Sequence, residues 1–121
     1  MKKVLFIGIE QFYMRGLLRN LPENKLKGIS EFLANTPDEA IHIAKENRDI
    51  SVVLFLGYLL VSGSEDPFRA NVGVAIELNK ILTSKVMIAA TGNRVDNELM
   101  KNGCTIIVPI MDVGKFLREK L

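Results

Sequence analysis

The sequence holds a single cysteine, Cys104, and a single histidine, His42, among 121 residues. One thiol cannot close an internal disulfide, and neither residue has the neighbours a metal cluster requires, so a cysteine-stapled scaffold and a His/Cys zinc site are both excluded. Long apolar runs are missing too. The longest, residues 52–61, is ten residues broken by Gly57, against the roughly 20 needed to cross a bilayer. The amino-terminal MKKVLFIGIEQF places two lysines before an apolar stretch, but that stretch stops at Glu10 after six residues. A signal-peptide core needs roughly 7–15 and a small-residue cleavage site, and neither is present. A cytoplasmic location without membrane association is therefore expected. Charge of one sign is also scarce: 16 basic residues against 14 acidic give a net charge of +2, and the two signs are interspersed. Without a basic block or stripe, direct nucleic-acid binding is not expected. No internal repeat or low-complexity segment occurs.

The residues that are present suit a globular chain. With 48% hydrophobic and 25% charged residues, the composition is ordinary, and the length matches one domain, 1–121, closing one core. Residues 3–9 (KVLFIGI) form an apolar run with β-branched members, the pattern of a strand covered on both faces. Residues 11–21 place Phe12, Leu17, Leu18 and Leu21 on one helical face before Pro22 stops the helix. Residues 25–33 (KLKGISEFL) alternate like a half-covered strand near an edge.

Thr36, Pro37 and Glu39 then supply an N-cap, a first-turn proline and the third member of a capping box. They predict a helix to about Asn47, with Ala40, Ile41 and Ala44 buried and Ile43 flanking. SVVLFLGYLL, residues 51–60, predicts the central buried strand. After a loop rich in Gly, Ser, Asp and Pro, residues 72–82 carry Val74, Ala75, Leu78, Ile81 and Leu82 at helical spacing. Residues 85–90 predict a fourth strand, Asn93 a cap for the following helix, and Gly103 its left-handed end. Residues 105–109 predict a fifth strand, and Asp112 caps a last helix with Val113, Phe116, Leu117 and Leu121 inward.

This β-α alternation, with right-handed crossovers and helices on both faces, defines an α/β doubly wound parallel sheet. For five units the flavodoxin-like strand order 2-1-3-4-5 is expected, with ligands received beyond the carboxyl ends of strands 1 and 3. That edge holds Gly8, Ile9, Glu10, Gly57, Tyr58 and the loops around Thr91 and Pro109.

With this element order, and with Gly73, Gly103 and Pro109 as landmarks in VGVAIELNKIL and MKNGCTIIVPIMDVGKFLREKL, the chain resembles the receiver (CheY-like) domain of bacterial response regulators. The resemblance covers essentially its whole length. It implies an aspartate at the end of strand 3 that accepts a phosphoryl group and an acidic pair after strand 1 that holds Mg²⁺. It further implies a Thr or Ser after strand 4 and a Lys after strand 5. Carboxylate oxygens suit a hard cation, and the hydroxyl and ammonium hold phosphoryl oxygens.

Carried over residue by residue, most of this set is missing. Leu56 and Gly57 stand for the acceptor, Gly8 and Ile9 for the acidic pair, and Val108 for the lysine. Only Glu10 matches a further acidic position, and Thr91 lies at or one place beyond the hydroxyl position. The resemblance is thus to a pseudo-receiver that keeps the fold without the phosphorylation chemistry, needs no cofactor or metal, and is no enzyme.

Two functions are compatible. The first is a regulatory module acting by protein contact, as a homodimer or docked on a partner, such as the control domain of a transcription regulator. The family's association face, by element, places Asn97, Lys101, Ile110, Lys115 and Arg118 at the surface. The second is a small-molecule, nucleotide or anion binder whose crevice would use Glu10, Thr91 and Asn93. It lacks a paired acid-base set and ranks lower. Glu65 and Asp66 read as solvated loop acids, His42 as an outer-face residue, Cys104 as a small buried hydrophobe, and the SGS and TGN segments as turns. Residues 58–61 either fill the vacated acidic pocket or form an apolar patch.

Overall fold

A computed structural model describes residues 2–8, 16, 18, 19 and 21–120. Five strands, β1 (Lys2–Ile7), β2 (Ile29–Ala34), β3 (Val52–Phe55), β4 (Val86–Ala89) and β5 (Ile106–Ile107), form one sheet in the order β2-β1-β3-β4-β5. Every adjacent pair is parallel. The helices are α1 (Glu23–Lys27), α2 (Pro37–Glu46), α3 (Ala70–Ile81), α4 (Val95–Lys101) and α5 (Val113–Lys120).

Strand alternation divides the core into two apolar layers. Leu5, Ile7, Val53, Phe55 and Met87 face α2, α3 and α4, which contribute Ala40, Ala44, Val74, Leu78 and Leu99. Val4, Phe6, Leu54 and Ile88 face the other way, onto Leu18, Leu21 and the Val113 and Leu117 stripe of α5. Full burial of each large side chain stabilises by about 1.5–3 kcal/mol relative to exposure. Phe6, Leu54 and Phe55, from both layers, reach it. This is the doubly wound flavodoxin-like α/β sheet that the strand pattern predicts.

Local chemistry sets the element ends. Thr36 Oγ1 accepts the Glu39 backbone N–H at 3.1 Å and its hydroxyl reaches Glu39 Oε1 at 3.2 Å, with Pro37 in the first turn of α2. At the end of α4, Cys104 N–H returns to Leu99 O at 3.0 Å. That return places Gly103 at φ +115°, where an added Cβ would also press on the side-chain tips of Asn79 and Met87.

Several expectations are corrected. Residues 25–28 are not strand: Glu23–Lys27 is helical, with Lys25 and Leu26 N–H groups on Pro22 O and a Glu23–Lys27 ion pair of 3.4 Å. Good helix formers prevail there until Gly28 ends the turn. β3 stops at Phe55 rather than running to residue 60, because the chain bends at Gly57 and leaves the sheet. β5 has two residues, both exposed, so it is an open edge and not a buried strand.

The third helix begins at Ala70, earlier than its apolar pattern. Asp66 accepts the Phe68 and Arg69 N–H groups at 2.9 and 3.2 Å and starts the winding sooner. Asp112 does not cap the last helix; it lies in a 3₁₀ turn, Ile110–Asp112, that runs directly into α5, so Val113 N–H bonds to Ile110 O. Of the helix expected at 11–21, Gly16 and Leu18 are helical and Leu18 and Leu21 are buried, while Phe12 and Leu17 lie outside the described residues. Leu121 is likewise outside them.

These end structures predict graded losses in urea denaturation. Thr36→Ala removes one cap bond and is expected to lower stability by about 1 kcal/mol. Gly103→Ala forces a side chain onto a left-handed backbone, while the tips of Asn79 and Met87 shift aside, and is expected to cost about 1–2 kcal/mol.

Candidate functional site

At the carboxyl edge the sheet is laced by successive backbone bonds. Gly8 N–H donates to Ala34 O at 3.0 Å, Leu56 N–H to Ile7 O at 2.7 Å, Ala90 N–H to Phe55 O at 2.8 Å and Val108 N–H to Ala89 O at 2.9 Å. The expected ligand edge therefore begins one residue beyond each strand, with Gly8 and Gly57 side by side. Gly8 has φ +116°, and a Cβ built on it would lie 2.6 Å from Gly57 N and 3.1 Å from Gly57 Cα. A side chain at position 8 would prevent this approach.

Behind this contact, Leu56 and Val108 are buried in the same apolar layer, with Ala90 and Val113. The sequence-predicted positions of an acceptor and a cation thus meet as hydrocarbon. Ile9 and Glu10 lie outside the described residues. Pro109 is exposed at the start of the 3₁₀ turn. Among the described residues no group of three His, Cys, Asp or Glu side chains converges as a metal site would require.

Thr91 is buried and turned sideways. Its hydroxyl donates to Asp96 Oδ1 at 2.6 Å, and its own N–H reaches the same oxygen at 3.2 Å. The hydroxyl oxygen also accepts the Asn93 N–H at 3.1 Å, and Asn93 Oδ1 takes the Val95 N–H at 3.0 Å. A hydrogen bond to a carboxylate contributes about 1.5–3 kcal/mol, so the loop between β4 and α4 is held by its own side chains. The Asp96 charge also acts on Cys104: burial chiefly, and then Asp96, pushes that thiol up to about 12.

The loop after β3 does more than turn. Leu60 N–H donates to Asn35 O at 2.8 Å, immediately past β2. Because β1 lies between β2 and β3, segment 57–60 crosses the carboxyl end of β1. Leu59 is fully buried within the layer under α2 and α3, whereas Tyr58 and Leu60 are exposed. The apolar tail of the run is thus split, with Leu59 packed into the core and Tyr58 and Leu60 at the surface.

Asn71, completely buried in the first turn of α3, donates from Nδ2 to Gly57 O at 2.8 Å and Phe68 O at 3.0 Å, fixing the bend. Phe68 in turn meets the Tyr58 ring edge-on at 5.8 Å.

Asn71 and Asp96 escape a reading that looks for groups facing a crevice. Asn71 was nevertheless visible as the polar member of the buried stripe at 71, 74, 75 and 78. Asp96 had no such signal beyond its nearness to Thr91. Among the partner-face candidates, Asn97, Lys101, Lys115 and Arg118 are exposed, while Ile110 is half-buried. Arg118 O also accepts from Lys25 Nζ.

No family model matches the sequence, and no curated protein matches it. Solved structures do. The receiver domain of AraT, a response regulator from Geobacillus stearothermophilus, superposes with a TM-score of 0.64 at 17% identity, covering 98% of this chain and 94% of that one. The response regulator domain of Thermotoga maritima CheB gives 0.63 at 16% identity, covering 99% and 92%. A protein from Burkholderia thailandensis named for pilus assembly (CpaE) gives 0.67 at 9% identity, covering 98% and 93%. The fold is that of receiver domains.

Three outcomes test these features. Gly8→Ala is expected to destabilise by about 3 kcal/mol or more in denaturant titration, since strained backbone and a clash with main chain combine. Gly73→Ala, in the open interior of α3, is expected to stabilise by about 0.4–1 kcal/mol. Alkylation of native Cys104 by iodoacetamide at pH 8.5 is expected to run about three orders of magnitude slower than in the unfolded chain, since thiolate is the reactive form.

Proposed function

We propose that this chain is a receiver-like regulatory module that does not accept a phosphoryl group and that works through protein contact. One observation carries the reading: Gly8 and Gly57 touch backbone to backbone, above a buried Leu56 and Val108. Phosphoryl transfer to a carboxylate is catalysed almost entirely by positioning and by charge that offsets the transferred group. These positions offer neither an oxygen nucleophile nor a cation. Thr91, the hydroxyl that follows β4, is bound to Asp96.

Contact would then carry the function, either with a second copy or with a partner protein. The surface of α4, β5 and α5 presents Asn97, Lys101, Lys115 and Arg118 around the exposed Ile106 and Ile107, with Met111 at 88% exposure beside them. An open, apolar edge strand is the kind of surface that proteins cover by association. The same arrangement would serve a stand-alone signalling protein or the control domain of a transcription regulator. The alternative, a crevice that binds a nucleotide or anion, draws little support from Thr91, whose hydroxyl is engaged by Asp96 and Asn93, or from Asn93, whose Oδ1 takes the Val95 N–H.

The direct test is incubation with acetyl phosphate and Mg²⁺, followed by intact mass and sedimentation velocity. The expected outcome is no added phosphoryl mass and an unchanged sedimentation coefficient. Phosphoryl incorporation, or a change of association state on adding the phosphodonor, would overturn the reading.

A further inference from the structure

We propose a second docking surface, at the β2 side of the sheet and away from the α4, β5 and α5 face. It is a cleft that receives a partner segment in which an apolar side chain is flanked by lysine or arginine. The cleft encloses about 570 Å³, with Thr36, Pro37 and Asp38 on one wall and Leu60, Val61 and Glu65 on the other. That volume lies in the range of sites that hold a few side chains or a small ligand.

Both walls are fixed in place. On one side the Thr36 hydroxyl takes the Glu39 N–H at 3.1 Å and Pro37 stiffens the first turn of α2. On the other, Leu60 N–H is held by Asn35 O at 2.8 Å, and Leu59 N–H by Pro67 O at 3.0 Å. Leu59 points inward and is fully buried, so the alternation of an extended segment turns Leu60 outward, where it is 49% exposed. A leucine pinned in this way cannot fold back into the core. It stands as a preorganised apolar contact, which lowers the ordering cost of binding.

Charge selects the occupant. Among the described residues the lining carboxylates are Asp38 and Glu65, and no lysine or arginine lines the cleft. Neither acid joins an ion pair among the described residues, whereas the nearby Arg69 is engaged by Glu98 at 3.1 Å. Asp38 is accounted for by its place in the first turn of a helix. Glu65 lies in a loop, and neither its charge nor the exposure of Leu60 is required by the fold. In a chain of net charge +2, an acidic rim around an exposed leucine is complementary to a basic-apolar-basic segment. A bare divalent ion fits less well, because it seeks six or more oxygens and only two carboxylates stand here.

The test is a ¹⁵N NMR titration of the full chain with the blocked peptide GSKLKSG, using GSELESG and GSKSKSG as comparisons. Saturable shifts are expected at the Asp38, Leu60, Val61 and Glu65 amides with the first peptide, and binding at least about tenfold weaker with the other two. Leu60→Ser and Glu65→Gln, both at exposed positions, are each expected to weaken the first peptide about fivefold or more, with spectra that otherwise overlay. Four outcomes would overturn the proposal: no saturable shift; equal binding of GSKSKSG; the same shifts with Mg²⁺ alone; or shifts that follow protein concentration without peptide, which would mean a second copy covers the cleft. None of these bears on phosphoryl acceptance, so failure here leaves the regulatory reading to its own test.

Discussion

Gly8 and Gly57 approach so closely that a methyl group on Gly8 would sit 2.6 Å from the Gly57 nitrogen, and the architecture of the carboxyl edge follows from that contact. It lets the chain turn sharply at the end of β3 and pass over β1 toward β2, where Leu60 bonds to Asn35. Asn71 closes the arrangement from α3 by holding the Gly57 carbonyl, so the bend is supported from below and not left to the loop.

The loop after β4 satisfies its own polar side chains, whereas Asn71 Oδ1, beside the Gly57 bend, is buried with no partner among the described residues. Thr91, Asn93 and Asp96 bind one another and the backbone between β4 and α4. A hydroxyl already bound to an internal carboxylate has little to gain from moving toward a ligand, and low-dielectric burial makes breaking that network costly. On the proposed reading, function would reside in the surfaces this framework presents, since a fold hosts sites without dictating them. Among the described residues two open surfaces stand out: the β5 edge with its exposed isoleucines, and the acid-rimmed cleft beside Leu60.

The fold was legible because burial imposes patterns. Continuous apolar runs marked β1, β3 and β4, and Thr36, Pro37 and Gly103 marked helix ends through short-range chemistry that operates in any context. Residues 25–28 misled because Lys25, Leu26 and Lys27 alternate like a strand while also being good helix formers, and the nearby proline and glycine decided between them. The end of β3 was misplaced because hydrophobicity does not distinguish a strand residue from a buried loop residue such as Leu59.

At the edge itself, the missing oxygen donors at 8, 56, 57 and 108 could be read directly as residue types. The partners of Thr91 and Gly57 could not, since Asp96 and Asn71 act sideways along the sheet edge, and such contacts depend on three-dimensional register. Asp112 failed as a cap because a 3₁₀ turn before α5 supplies backbone carbonyls that make a side-chain cap unnecessary.

The most direct measurement is paramagnetic broadening by substoichiometric Mn²⁺ in amide spectra of the full chain. A crevice floor of glycine backbone and hydrocarbon predicts that the Gly8, Leu56 and Gly57 signals keep the same relative intensity as that of Val53 in the core. Selective loss of the Gly8 and Gly57 signals would show a divalent ion seated between the ends of β1 and β3, and would contradict the account.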